Sequence, residues 1–260
     1  MPMRAAIRFL AFALPAIAAT FSVGAPAQAA SFSCRETPIV RSNAALAPLS
    51  AKVSQGKALT ILAIGSSSTE GIGASARDKT YPARLQALLG KAWPKSQVEI
   101  VNAGIGGETA PQTLIRLKTA LTARPYDLVI WQVGTNDAVK GGDLDAFKAM
   151  VGEGISLVRE AGPALAILDP QFFPSVRDPQ RYGRYVEAVG EVARREAVPV
   201  FGRYDAMREW HRSDAEAFKA ALWTDGFHMS DAGYDCLARD MANAMVGMAA
   251  PARPVVAASR

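Results

Sequence analysis

The sequence predicts an α/β protein: a three-layer α/β/α sandwich around a mainly parallel five-stranded sheet. Two observations carry this. From Ala58 onward, short apolar runs alternate with longer segments of helical period, the sequence form of a parallel sheet covered on both faces. Each of the first four runs then ends at a Gly, Asn or Asp, where a buried strand gives way to a turn.

The strands are expected at Leu59 to Ile64, Val98 to Asn102, Leu128 to Val133, Ala164 to Leu168 and, more briefly, Val198 to Phe201. Between them Tyr81 to Leu89, Pro111 to Arg124, Leu144 to Glu160 and Tyr182 to Glu196 place apolar residues three or four apart, as amphipathic helices do. In such a sheet ligands bind beyond the carboxyl ends of the strands. Three motifs fall there: Gly65-Ser66-Ser67 after the first strand, Gly106-Gly107-Glu108 after the second and Gly134-Thr135-Asn136-Asp137 after the third.

Residues 1–29 read as an address. Arg4 and Arg8 precede an apolar run from Phe9 to Val23, and Ala27-Gln28-Ala29 suits signal-peptidase cleavage, so the mature chain is expected to begin near Ala30. Pro15 and the lack of stop-transfer charges argue against an uncleaved anchor, and Ser31-Phe32-Ser33 before Cys34 is no lipobox. An exported product, periplasmic or extracellular and without a stable membrane anchor, is the expectation. Residues 30–57 are expected to form an N-terminal extension, 58–249 the α/β domain, and 250–260 a disordered tail.

Loss of the leader removes two arginines and no acid, lowering the formal charge of +5 by two. The remaining lysines and arginines are interspersed with acids, which excludes the basic tract that nucleic acid binding requires. With 50% hydrophobic and 20% charged residues, the chain can bury one full core. Its two cysteines, Cys34 and Cys236, would reach a compartment where disulfides persist, so a bridge is expected; two buried thiols are the alternative.

The loop Gly65-Ser66-Ser67-Ser68-Thr69-Glu70-Gly71 could cradle a phosphate, cap a helix or present a nucleophile. It lacks the lysine of a P-loop and the glycine spacing of a dinucleotide fingerprint. Near the other end, Asp225-Gly226-Phe227-His228 supplies one of two histidines three residues after a carboxylate. That spacing lets Asp225 accept from Nδ1–H of His228 and leaves Nε2 free as a base, although an isolated Asp-x-x-His is commonly a helix cap or surface pair. His211, between Trp210 and Arg212, reads as packing or surface.

Taken in order, these segments resemble the four blocks of the SGNH (GDSL-type) hydrolases, from about Ile61 to Tyr234. Gly65-Ser66-Ser67 resembles the Gly-Asp-Ser block, Asn102-Ala103-Gly104-Ile105-Gly106-Gly107-Glu108-Thr109 the second block, Gly134-Thr135-Asn136-Asp137 the Gly-x-Asn-Asp block, and Asp225-Gly226-Phe227-His228 the Asp-x-x-His block. The resemblance implies a flavodoxin-like sandwich and a serine esterase. Its triad would be Ser67, His228 and Asp225, its oxyanion donors the N–H groups of Ser67 and Gly107 and the amide of Asn136, with no cofactor and no metal. Ser66 stands where the family usually carries aspartate; that residue lies outside the triad, so the departure bears on the support of the first turn. An α/β-hydrolase elbow is excluded, because Thr69 stands where its Gly-x-Ser-x-Gly needs glycine.

Glu108 and Asp137 lack a His or Cys cluster and are expected to orient the loops carrying the donors. The substrate is expected to be a small-molecule or glycan ester with a short acyl group, since the blocks leave little room for a large lid. An acyltransferase and a catalytically silent binding domain remain alternatives. Trp223, two residues before Asp225, fits a glycan ester or an ordinary core position equally well.

Overall fold

The computed structural model describes residues 32–249 except 36, 38 and 41–45. The leader at 1–29 and the tail at 250–260 lie outside the described residues. In chain order the elements are α1 (Ala47–Ser54), β1 (Leu59–Gly65), α2 (Ser67–Glu70), α3 (Tyr81–Ala92), β2 (Val98–Gly104), α4 (Ala110–Ala123), β3 (Leu128–Gln132), α5 (Thr135–Lys140), α6 (Leu144–Ala161), β4 (Ala164–Leu168), α7 (Pro179–Arg195), β5 (Val200–Phe201), α8 (Arg203–Ser213), α9 (Ala215–Phe218) and α10 (Asp231–Ala249).

All five strands pair in parallel, in the order β2-β1-β3-β4-β5. This is the expected α/β/α sandwich. Because side chains alternate across a strand, β1 feeds two cores: Leu59 and Ile61 pack with Tyr81, Leu85, Leu89 and Met241 on one face, while Leu62 and Ile64 pack with Leu117, Val151 and Val189 on the other. At about 25 cal/mol per Å² of apolar area, these buried faces hold the helices to the sheet. The chain turns from one side of β1 to the other between β2 and β3, so the carboxyl ends of β1 and β3 flank the switch point where such sheets bind ligands.

Two sequence expectations change. The strand at 98 is an edge, with Glu99 exposed and bonded to Arg124, rather than a fully buried run. The last strand is only Val200–Phe201, because Val198 bonds back to Ala193 and closes α7 instead of joining β4.

Cys34 is bonded to Cys236 in α10, tying the segment before α1 to the last helix. A cross-link closing 202 residues is worth about 5 kcal/mol in the chain-entropy model, and measured values usually fall below that. Reduction is therefore expected to lower Tm by several degrees while activity at low temperature persists. A thermal melt with and without reductant, alongside thiol titration, checks this; unchanged Tm after complete reduction would assign the bridge no stabilising role. Among the described residues no helix is long and apolar enough to cross a membrane.

Candidate active site

β1 delivers the chain at Gly65, Ser66 is extended, and Ser67 begins the short helix α2. Gln132, at the carboxyl end of β3, supports this turn: its Oε1 accepts from Ser66 N at 2.7 Å, Ser66 Oγ at 3.1 Å and Thr69 Oγ1 at 3.3 Å. The turn without the usual aspartate is thus held by a buried amide on the neighbouring strand. Thr69 Oγ1 also lies 3.1 Å from Tyr81 Oη, whose phenol burial pushes up to about 12. Ser67 is buried, with 7% of its surface exposed. As a first-turn residue its N–H has no intrahelical acceptor.

The loop after β2 lies against α2. Ile105 N donates to Gly65 O and Gly106 N to Glu70 Oε2 at 2.6 Å. A Cβ at Gly104 would fall 1.9 Å from Glu70 N, so only glycine permits this approach. A Cβ at Gly106 would stand 3.8 Å from that of Ser67, which places the loop beside the serine. Gly107 has φ +78°, a left-handed conformation that favours glycine. Asn136 Nδ2, in the first turn of α5, donates to Glu108 O at 2.7 Å, joining the third motif to the second.

The two acids here hold backbone. Glu108 accepts from Nε and Nη2 of Arg116, whose Nη1 donates to Ala103 O at 2.8 Å and whose Nη2 also donates to Gly65 O at 3.2 Å, so one guanidinium gathers the ends of β1 and β2. Asp137 accepts from Ala110 N at the start of α4. Burial pushes its carboxyl above the usual range, and the Ala110 N–H partly opposes that. Among the described residues no group of three or more His, Cys, Asp or Glu is placed to hold a metal ion.

Asp225 and His228 face each other across a tight turn. Nδ1 of His228 lies 2.6 Å from Asp225 Oδ2, and Asp225 Oδ1 accepts from the N–H groups of Phe227 and His228, each at 2.9 Å. Burial of Asp225 disfavours its charge, but the His228 ring and the two N–H groups outweigh it, so the carboxyl lies below its usual value. With Nδ1 donating to the carboxylate, Nε2 is the basic nitrogen. This loop is fastened to the Ser67 side: a Cβ at Gly73 would meet that of His228 at 3.2 Å, and Tyr234 Oη donates to Ile72 O at 2.7 Å. The structure therefore brings Ser67, Gly107, Asn136, Asp225 and His228 to one end of the sheet.

His211 instead packs against Phe172 and Phe218. Trp223 is 45% exposed beside the His228 loop, not core; its backbone N–H donates to His228 O and it borders an open groove of about 440 Å³ with Gly73, Ser75 and Asp231. Sequence reasoning missed Gln132, Glu70, Arg116 and Gln171, which act through polar contacts that no periodicity marks. Position at a strand's carboxyl end is the one signal that points to Gln132 and Gln171.

Relatives of established name match the chain at low identity. The chain is 28% identical over 178 residues to an acetylxylan esterase of Geobacillus stearothermophilus, covering 61% of this chain and 77% of that one. It is 27% identical over 109 residues to an arylesterase of Vibrio mimicus, covering 38% of this chain and 52% of the relative, so it aligns with about half of that protein's length. The fold superposes with TM-score 0.68 on a two-domain esterase active on acetylated mannans, at 19% identity over 85% of this chain and 57% of the other. A family model spans residues 33–251: the chain belongs to the non-GDSL lipase-like family, with the sandwich fold of the SGNH hydrolases.

Proposed function

We propose that this protein is an exported serine esterase that cleaves short-chain carboxylic esters, acetyl esters of glycans above all, through Ser67, His228 and Asp225. The observation that carries the reading is the Asp225–His228 pair at 2.6 Å on a loop packed against Gly73, just beyond the short helix that Ser67 begins. Nε2 of His228 takes the Ser67 proton as Oγ attacks the ester carbonyl. The tetrahedral oxyanion is met by the N–H groups of Ser67 and Gly107 and the amide of Asn136. Collapse expels the alcohol with the proton held on His228, and water, deprotonated by the same imidazole, releases the acid from the acyl-enzyme. The names of the relatives, an acetylxylan esterase and an esterase active on acetylated mannans, support an acetyl group on a sugar alcohol. The leader at 1–29 supports export.

A panel of p-nitrophenyl esters from acetate to palmitate, run beside acetylated xylan and acetylated peptidoglycan, tests the reading. Highest kcat/KM on the shortest ester with acetate release from a glycan is expected. Activity that grows with chain length would point to a lipase, and no labelling of Ser67 by a fluorophosphonate would point to a silent binding domain.

Asn136→Ala is expected to lower kcat by about 10²- to 10³-fold with KM nearly unchanged, as for an oxyanion donor that acts in the transition state. Steady-state kinetics on p-nitrophenyl acetate checks this. A raised KM with unaltered kcat would make Asn136 a substrate-binding group instead.

A further inference from the structure

The nucleophile turn and the base loop come from opposite ends of the chain, and a third segment joins them. Gln171, in the loop after β4, is fully buried. Its Oε1 accepts from Ser68 Oγ at 2.7 Å, and its Nε2 donates to Phe227 O at 2.7 Å. Ser68 is the neighbour of Ser67 and Phe227 the neighbour of His228, so one side-chain amide spans the two elements that must meet for proton transfer. The bridge is itself anchored: Tyr182 Oη donates to Gln171 O at 2.7 Å, and the Phe227 ring is held edge-on by Phe173 at 4.7 Å and lies 4.7 Å from the His228 ring.

We propose that Gln171 is a positioning residue that sets the distance between Ser67 and His228. This rests on the reading of those two residues as nucleophile and base. The chemistry of the position selects an amide. Phe227 O can only accept, so the group facing it must donate, while the opposite end must accept the Ser68 hydroxyl proton. Methionine fills a similar volume and does neither. Glutamate can accept from Ser68, but when ionised it sets an oxygen against Phe227 O and leaves that part-buried carbonyl without its donor. Protonated glutamate donates again.

The test compares Gln171→Met and Gln171→Glu with the wild-type protein. Three quantities are read: kcat and KM on p-nitrophenyl acetate, the second-order rate of fluorophosphonate labelling at Ser67, and Tm. Gln171→Met is expected to remain folded with kcat and labelling rate reduced about 10- to 100-fold and KM changed less than about threefold, because a misplacement near 1 Å costs that much in rate. For Gln171→Glu, the ratio of its kcat/KM to the wild-type value should rise as pH falls, as protonation restores the donor to Phe227 O; the ratio for Gln171→Met should stay flat. A residue that only stabilises the fold would lower Tm without either signature. A folded Gln171→Met with kcat and labelling within about twofold of wild type at every pH overturns the proposal. Should that variant not fold, Ser68→Ala removes one half of the bridge: labelling slowed about 3- to 10-fold supports the proposal and an unchanged rate overturns it. Failure of the wild-type protein itself to label at Ser67 would instead overturn the esterase reading on which the proposal rests.

Discussion

Ser67→Ala abolishes ester hydrolysis, with kcat expected to fall about 10⁶-fold, the loss seen when a triad serine is removed and only oxyanion donors and binding remain. The fold should survive. The turn is held by Ser66 and Thr69 on Gln132 and by Ser68 on Gln171, none of which involves the Ser67 side chain. Tm is therefore expected to stay within a degree or two of wild type, roughly the scale of a surface substitution. Ser66→Ala and Ser68→Ala should cost far less, since their hydroxyls face buried amides rather than substrate. Mass spectrometry of a fluorophosphonate-labelled digest decides the register: a label on Ser66 or Ser68 would move the nucleophile by one residue.

The parts of this molecule legible from sequence are those encoded by local pattern. β1, β3 and β4 are uninterrupted buried runs ended by polar or glycine turns, and their predicted limits match the structure within a residue. α3, α4, α6 and α7 each bury one stripe, and their period shows. α8 does not announce itself in this way. It is strongly polar, and it is anchored by Arg203, which is fully buried and donates to Asp169 O at 2.8 Å and 3.1 Å. A charged residue reads as surface unless its partners are known. α10 fails for the opposite reason: its Ala, Gly, Cys and Met residues are buried on most sides, which blurs the stripe that defines a surface helix. At the site, the motifs marked Ser67, Gly107, Asn136, Asp225 and His228, but not the side chains that hold their loops. Gln132 and Gln171 act through contacts 66 and 103 positions away, which no window of sequence records.

Asp225→Asn is the second large effect. The carboxylate accepts from Nδ1 of His228 and from two backbone N–H groups. An asparagine can keep one of its two faces as acceptor, but it presents N–H where the ring needs an anion, so the imidazole turns to the tautomer with Nδ1 unprotonated and Nε2 loses its basic lone pair. By analogy with other triads kcat should fall about 10⁴-fold, with KM little affected. The pH dependence of stability follows from the depressed carboxyl of Asp225. Because its folded value lies below its unfolded value near 3.9, the ionised group contributes stability that is fully present above that unfolded value and is lost as pH falls through the folded one. The wild-type protein should therefore exceed Asp225→Asn in Tm at neutral pH, and the gap should narrow below about pH 4 as both variants carry a neutral group. Kinetics and melts across pH 3 to 8 read both effects. Near-wild-type kcat in the folded variant would mean that a carboxylate other than Asp225, or none, supports His228, and would undo the Asp-x-x-His assignment even with Ser67 confirmed as the labelled residue.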